Sequence, residues 1–550
     1  MRANRRRTQS VSETASTYLR EHTVVGRAAA SFISEMRGRS IPVHWSALLG
    51  VITVASIVVL FVTGVILMIF YVPSSESVTY RGSYEPLSGV EVSKAFDSLM
   101  RLSFEVPGGL LLRQVHHWAA LLVPASIILQ LLVSFFTGAF RRPRRGSWVA
   151  LFLLFIAVLA GGWSGYALPD DMLSGSGLRI VHGITLSIPL VGTWISWVLF
   201  GGEFPGTIIE NLYPVHIAIV PLAVLVLIAI RVRSAYRNKP PQFAAGGRHD
   251  ENVVGIPLVP NAAAIAGGFF AVVVGVLVVI GATVQISPIW SYGPADPASA
   301  SAGSQPDWYT GFLDGALRLV PPGWEFELFD RTWTLALLAP LAVIALFLLT
   351  VVLYPFLEGW LAKDKRDHHI LDRPRNTATR TGIGVAGIVF YGVLWLTASA
   401  DVMATVFSLS LEGTIETLRV TLFVGPILGF ILTQRVCLAL QRKDRDLVAH
   451  GFETGRIVRL PGGEYVEVHQ PIDEYERWRL SAHTHVDAVD ARPTESGRLS
   501  RVERLRAALA AMFYADRVER VEPTDSPTTA SVSIVPRDAD DQEDRSTSAA

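Results

Sequence analysis

The sequence predicts an all-α integral membrane protein of eight transmembrane helices, and three observations carry that expectation. Half of the 550 residues are hydrophobic and only 17% are charged, with a mean hydropathy of +0.38, a composition suited to a bilayer as solvent. Eight apolar runs, at 45–71, 113–138, 148–169, 212–233, 261–286, 332–357, 380–400 and 417–440, are each long enough to cross about 30 Å of hydrocarbon. Basic residues gather on alternate connections between them.

The first 44 residues are basic and polar, with Arg2, Arg5, Arg6 and Arg7 at the start. The first run is too long for the apolar core of a signal peptide and no small-residue cleavage site follows it, so it is read as a retained helix. Arg141, Arg142, Arg144 and Arg145 follow the second run; Arg231, Arg233, Arg237 and Lys239 lie at the end of the fourth; Lys363, Lys365 and Arg366 follow the sixth; Arg442, Lys443 and Arg445 follow the eighth. With eight crossings these all share a side with the N-terminus, which the excess of positive charge makes the cytoplasmic side. Both termini are therefore expected to be cytoplasmic.

The opposite connections, 72–112, 170–211 and 287–331, are long and rich in Gly, Pro and aromatic residues, including Trp194, Trp197, Trp290, Trp308 and Trp324. Long ordered loops on one face commonly carry function, although tryptophans there also serve as simple anchors in membrane lipid. The expected division is a basic N-terminus (1–44), a first membrane unit (45–233), a cytoplasmic linker (234–260), a second membrane unit (261–440) containing the loop 287–331, and a cytoplasmic tail (441–550). In the tail, Leu505, Leu509 and Met512 share a helical stripe within 501–514. Such a stripe suits a membrane surface, a partner or a plain surface helix. The last 25 or so residues, rich in Ser, Thr, Asp and Pro, read as disordered.

Lys plus Arg balance Asp plus Glu at 48 each, so composition offers no case for a nucleic-acid partner. The single cysteine, Cys437, excludes an intrachain disulfide, a CxxCH attachment site and a cysteine-ligated cluster within the chain. It reads as a small apolar residue near a helix end.

Ionisable side chains inside a membrane span are expensive and therefore functional candidates. Arg113, His116 and His117 lie near the outer end of the second run, and His216 lies at the same depth in the fourth. Two histidines at one level on neighbouring helices are what a bis-imidazole haem requires, with two neutral nitrogens facing each other across the iron. A lone histidine there would be an interfacial residue. The pairing favours haem, and so does Arg113, one turn from His116 and able to neutralise a propionate. Gly64 and Gly165 lie at similar height in the first and third runs, where a flat macrocycle needs backbone approach, although glycines in membrane helices also serve packing. Gly50 precedes Gly64 by fourteen residues, about 21 Å along a helix.

These residues stand in segments that closely resemble one family. They are Leu49-Gly50 with Thr63-Gly64, RQVHHWAAL (113–121), FFTGAFRRPR (135–144), GYALPDDMLSGSGLR (165–179), SIPLVGTW (187–194), LYPVH (212–216), ENVVGI (251–256), SPIWSYGP (287–294), SAGSQPDWY (301–309) and HGFETGRIVRLPGGEYVEVHQP (450–471). The resemblance is to the cytochrome b subunit of the cytochrome bc complex, a respiratory quinol:cytochrome c reductase, in its actinobacterial form. It covers about residues 40–471 and implies a haem-binding four-helix bundle made by the first four runs, followed by four C-terminal helices, in the cell membrane.

In that family four transmembrane histidines hold two haems b stacked across the bilayer. The outer pair carries over onto His116 and His216 as metal ligands, with Arg113, Gly64 and Gly165 around the cofactor. The inner pair carries over onto Gln130 and Arg231, fourteen and fifteen residues further along, a spacing that returns to the same helix face. A glutamine amide is a poor iron donor and a guanidinium offers no lone pair. Val133 stands where the family often has an arginine, and Leu151 where the third helix has its lower glycine. One haem b, on the outer side, is expected.

Pro306, Asp307, Trp308 and Tyr309 resemble the family's Pro-Glu-Trp-Tyr motif, whose carboxylate accepts a quinol proton; aspartate is shorter but competent as a base. The segment Gly165 to Arg179 is expected to form the opposite wall of that pocket. The resemblance further implies quinol as substrate, menaquinol from the actinobacterial context, and a dimeric complex with a Rieske iron-sulfur subunit and a cytochrome c subunit. The expected function is quinol oxidation at an outer pocket with electrons passing to haem b and the iron-sulfur protein. The alternative is a non-catalytic relative with a structural or regulatory role.

Overall fold

Small and hydroxyl-bearing residues collect where membrane helices meet, while purely aliphatic faces are left to lipid. The first long helix, α1 (Ser46–Leu67), follows that rule: Thr53, Ser56 and Thr63 are buried, whereas Val54, Val58, Val62 and Val65 form an exposed stripe. In a computed structural model the described residues are 23–299, 305–321, 323–330, 332–481 and 500–514. Among them eight helices are long and apolar enough to cross a membrane. After α1 come α2 (Gly109–Phe136), α3 (Arg145–Ala167), α4 (Ile208–Arg237), α5 (Leu258–Thr283), α6 (Leu335–Ala362), α7 (Ala378–Ala398) and α8 (Leu411–His450). The protein is an integral membrane protein, mostly helical, with only two-stranded sheets among the described residues.

The first four helices make one bundle, in which α1 packs on α2, α2 on α3 and α3 on α4. Helix α5 lies against α1 and α2 at Gly281, where an added Cβ would come 2.6 Å from Val115. Helices α7 and α8 form a close pair, with Gly382 against Phe430. The helix α8 runs ten residues beyond the eighth apolar run at its C-terminal end, because the sequence there, QRKDRDLVAH, consists largely of residues that propagate a helix in water.

One end of the bundle carries the three long connections. Helix Lys94–Phe104 is capped by Ser93, whose hydroxyl accepts from the Phe96 amide at 3.2 Å. Helix Met172–Ser187 begins with a reciprocal cap between Asp171 and Ser174, satisfying amides that would otherwise be orphaned. Trp194 and Trp197 are exposed on helix Gly192–Phe200, while Trp290 packs edge-on against Phe104.

The other end carries the basic connections and a buried ion network. Arg380, 1% exposed, donates to Glu358 at 2.5 and 3.0 Å and to Asp372 at 2.8 Å. Arg141 also pairs with Asp372 at 2.8 Å. Burial alone would raise the Asp372 pKa, but Arg141 and Arg380 outweigh it and hold the carboxyl below its ordinary value.

The stripe Leu505, Leu509 and Met512 is exposed, as on a surface helix, while the other side of helix Arg501–Tyr514 buries Arg506 and Ala510 and packs Phe513 against the core. The small Ala510 side chain allows the close approach of this side of the helix to α6 and α7. Gly50 makes no close approach, since a Cβ there would meet nothing within 4 Å. Cys437 is buried, as a small apolar residue would be. The expectation of disorder over the last residues falls outside the described residues.

Arg380→Met is expected to lower stability by about 3–5 kcal/mol, because Glu358 and Asp372 would be left buried without a counter-charge. Arg366→Ala, which removes an ion pair whose arginine is 60% exposed, is expected to leave the thermal unfolding of the detergent-solubilised protein unchanged. Equal shifts for both variants would contradict this assignment.

Candidate functional site

Helices α2 and α4 bring His116 and His216 opposite each other, with ring centroids 6.3 Å apart and ring planes inclined by 65°. Two imidazoles sharing a metal, each nitrogen about 2 Å from it, place their centroids about 6 Å apart. The backbone around His216 is locally wide: Val215–Ile219 forms a π-helical turn between Pro214 and Pro221. Turns of this kind recur at functional sites because they re-aim a side chain within an otherwise regular helix.

The hydrogen bonds to the rings determine which nitrogen is free. His216 Nδ1 lies 3.0 Å from the Gly161 carbonyl oxygen, which can only accept, so Nδ1 carries the proton. His116 Nδ1 lies 2.8 Å from the Thr63 hydroxyl. That hydroxyl already donates to the Val59 carbonyl at 2.6 Å, so it accepts from His116. In both rings the Nε2 lone pair is left free for a metal, the arrangement in which a second hydrogen bond fixes tautomer and ring plane.

Gly64 and Gly165 stand beside these rings. A Cβ at Gly165 would come 2.5 Å from His216 Cε1, and one at Gly64 would come 3.3 Å from His116 Cε1. The glycines thus make room for the imidazoles themselves. Arg113 is 9% exposed; its Nη2 donates to the Ser287 carbonyl at 2.8 Å, while its Nε is buried without a hydrogen-bond partner among the described residues. A buried orphan donor beside the paired imidazoles fits a haem carboxylate. On these observations the residues at this level fit a haem.

The same cavity, of about 290 Å³, continues from His116 and His216 to His117, Asp307 and Tyr309. Tyr309 is 1% exposed and donates to Asp307 Oδ2 at 2.8 Å; its hydroxyl occupies the space a side chain at Gly162 would need. Burial, reinforced by Asp307, raises the Tyr309 pKa well above its ordinary value, so its proton stays available for that bond. The Trp308 carbonyl accepts from Trp395 Nε1 at 3.0 Å, tying the motif to α7, and Pro306 precedes it half-buried. On the opposite side Tyr166 lines the cavity and donates to the Leu173 carbonyl. The loop 287–294 closes onto this wall through Met172 N to Gly293 O and Ala295 N to Asp170 O, each 2.9 Å.

Lower in the same bundle, Gln130 and Arg231 bond to each other instead: Arg231 Nη2 donates to Gln130 Oε1 at 3.0 Å. Gln130 Nε2 donates in turn to the Thr53 hydroxyl at 2.7 Å. Leu151, 4% exposed, sits in a buried cluster with Ile57, Ile127, Leu154 and Val224. Val133 is half-buried, and its carbonyl accepts from Thr137 Oγ1 at 2.6 Å.

The sequence brought Arg113, His116, His216, Gly64, Gly165 and the motif 306–309 into consideration, and the fold gathers them around one cavity except for Pro306 and Trp308, which are not among its lining residues. Thr63 and Gly161 were missed as contributors, and His117 was noted beside His116 without a role. Thr63 had a signal, since it precedes a helix glycine already singled out. The Gly161 carbonyl had none, because a backbone acceptor leaves no mark on residue type.

A membrane bundle that opposes two imidazoles across a cavity defines a haem-binding electron-transfer protein. Comparison with known proteins makes the class specific. Residues 121–294 match the family described as Cytochrome b(N-terminal)/b6/petB. The chain is 44% identical over 506 residues to the cytochrome bc1 complex cytochrome b subunit of Streptomyces coelicolor, covering 91% of this chain and 93% of that one. It is 48% identical over 436 residues to the corresponding subunit of Mycobacterium tuberculosis, covering 78% of each. A solved structure described as hyperthermophilic respiratory Complex III shares the fold at 18% identity with a TM-score of 0.55, covering 76% of this chain and 98% of the other. The chain belongs to the family of cytochrome b subunits of the cytochrome bc1 complex, and with it to respiratory electron transfer, haem b binding and assembly with partner subunits.

Gly165→Ala is expected to abolish most of the haem absorbance of the purified protein, because His216 has to move from its position. Gly64→Ala, with the longer separation, is expected to lose less. Full absorbance in both variants would contradict the packing described.

Proposed function

We propose that the chain is a quinol-oxidising cytochrome b with one haem b, held between His116 and His216 at the end of the bundle that carries the long loops. The observation that supports this most is the contrast between two levels of one bundle. At the upper level two Nε2 lone pairs face a cavity; at the lower level Gln130 and Arg231 are engaged with each other and Leu151 fills the core. Neither side chain is a ligand for iron, and the Leu151 side chain is packed among Ile57, Ile127, Leu154 and Val224. The lower residues do not fit a second haem, and no step is assigned to one.

Bound haem b supplies a one-electron acceptor beside the quinol pocket. The residues of the chain do the remainder. Thr63 and the Gly161 carbonyl hold the ring planes, and Arg113 offers Nε to a propionate. Asp307, within the same cavity, accepts a proton from a quinol hydroxyl as the ring is oxidised. Tyr309 holds the carboxylate by its hydrogen bond, and Tyr166 with helix Met172–Ser187 closes the opposite wall and excludes water. A Rieske iron-sulfur subunit and a cytochrome c subunit are the proposed partners in a dimeric complex, with menaquinol as donor. Both termini and the linker 234–260 are assigned to the cytoplasm, and the loops 72–112, 170–211 and 287–331 to the outside.

The test is reduction of the haem in the purified complex by a menaquinol analogue, followed by stopped-flow absorbance. Rapid reduction is expected, slowed by about 10²–10⁴-fold in Asp307→Asn with unchanged haem absorbance. A parent complex whose haem is not reduced by quinol would instead identify a non-catalytic relative.

A further inference from the structure

Adjacent residues on an α-helix point about 100° apart, and α2 uses this at His116 and His117. His116 faces His216. His117 turns toward Asp307, with Nε2 at 3.2 Å from Oδ1 and 3.3 Å from Oδ2. A carboxylate only accepts, so Nε2 is the donor and straddles both oxygens. The pair is largely shielded, with side-chain exposures of 19% and 14%. Tyr309 donates to Oδ2 alone.

We propose that His117 is a positioning residue for quinol oxidation: it fixes the plane of the Asp307 carboxylate so that Oδ1, the oxygen that Tyr309 does not engage, stays aimed into the cavity. The inference rests on the quinol-oxidising reading of the site. The terminal torsion of an aspartate is broad and has no sharp staggered wells, so a carboxylate held by Tyr309 at one oxygen rotates about that bond. The fork from His117 removes this freedom. Its anchor is a rigid transmembrane helix one residue from His116, so the side chains that hold the base and the electron acceptor share a single turn of α2. A misplacement of about 1 Å at a reacting group costs up to about 10²-fold in rate, which sets the scale of the effect.

The test uses the intact complex and steady-state kinetics with a menaquinol analogue. His117→Ala is expected to lower kcat about 10- to 100-fold while KM changes less than about twofold and the haem spectrum is retained. His117→Gln, whose carboxamide N–H reaches the same oxygens, is expected to recover most of the loss. In an Asp307→Asn background His117→Ala is expected to add nothing, since the two act as a unit. A His117 that merely supports the fold costs the same in both backgrounds, raises KM or loses haem signal, and is not rescued by Gln; any of these overturns the inference. Unchanged kcat in His117→Ala of an active complex overturns it while leaving the quinol-oxidising reading intact. An inactive parent overturns that reading, and the inference with it.

Discussion

Thr63 and the Gly161 carbonyl decide which nitrogen of each central imidazole is free, and most of the loop-end architecture follows from that. An imidazole inside a membrane has two polar atoms to satisfy and nearly no water to do it. Here one atom of each ring is satisfied by the protein, which leaves the other for the iron. For the rings to reach these partners, helices α1 and α3 have to approach closely, which is why Gly64 and Gly165 carry no Cβ at the points of contact. The π-helical turn at Val215–Ile219 belongs to the same solution, since it sets His216 where Gly161 can accept its proton.

Asp307 and Tyr309 meet this unit from the side. They reach it from a separate part of the chain, following loop 287–299, and are drawn in by the bond to His117 on α2 and by the close fit of Tyr309 against Gly162. Haem ligation and the carboxylate of the motif 306–309 are thereby joined through neighbouring residues of one helix. At the other end the same four helices meet through side chains. Leu151 and its neighbours pack as an ordinary core, Gln130 links α1, α2 and α4 through Thr53 and Arg231, and the Arg380 network secures α6 and α7. The two levels of the bundle are thus held by different sets of interactions.

Much of this was legible in the sequence, because membrane spans and paired histidines are written in residue type. Eight apolar runs and alternating basic connections marked the helices, and His116 with His216 marked the centre. Gly64 and Gly165 were legible as close contacts, although what they contact is the imidazole ring. The contribution of Gly161 was not legible, since its carbonyl is common to every residue. His117 was visible but ambiguous, because which of two adjacent histidines faces a cofactor depends on helix rotation. The docking of helix Arg501–Tyr514 through Ala510 and Phe513 was not legible, since a small residue and a single aromatic make no hydrophobic stripe.

The central claim is that one level of the bundle holds haem b and the other holds only side chains. The most direct measurement is the amount of haem b per chain, by pyridine haemochrome on the purified protein. The account predicts one haem per chain, lost in His216→Ala. Two haems per chain would contradict it.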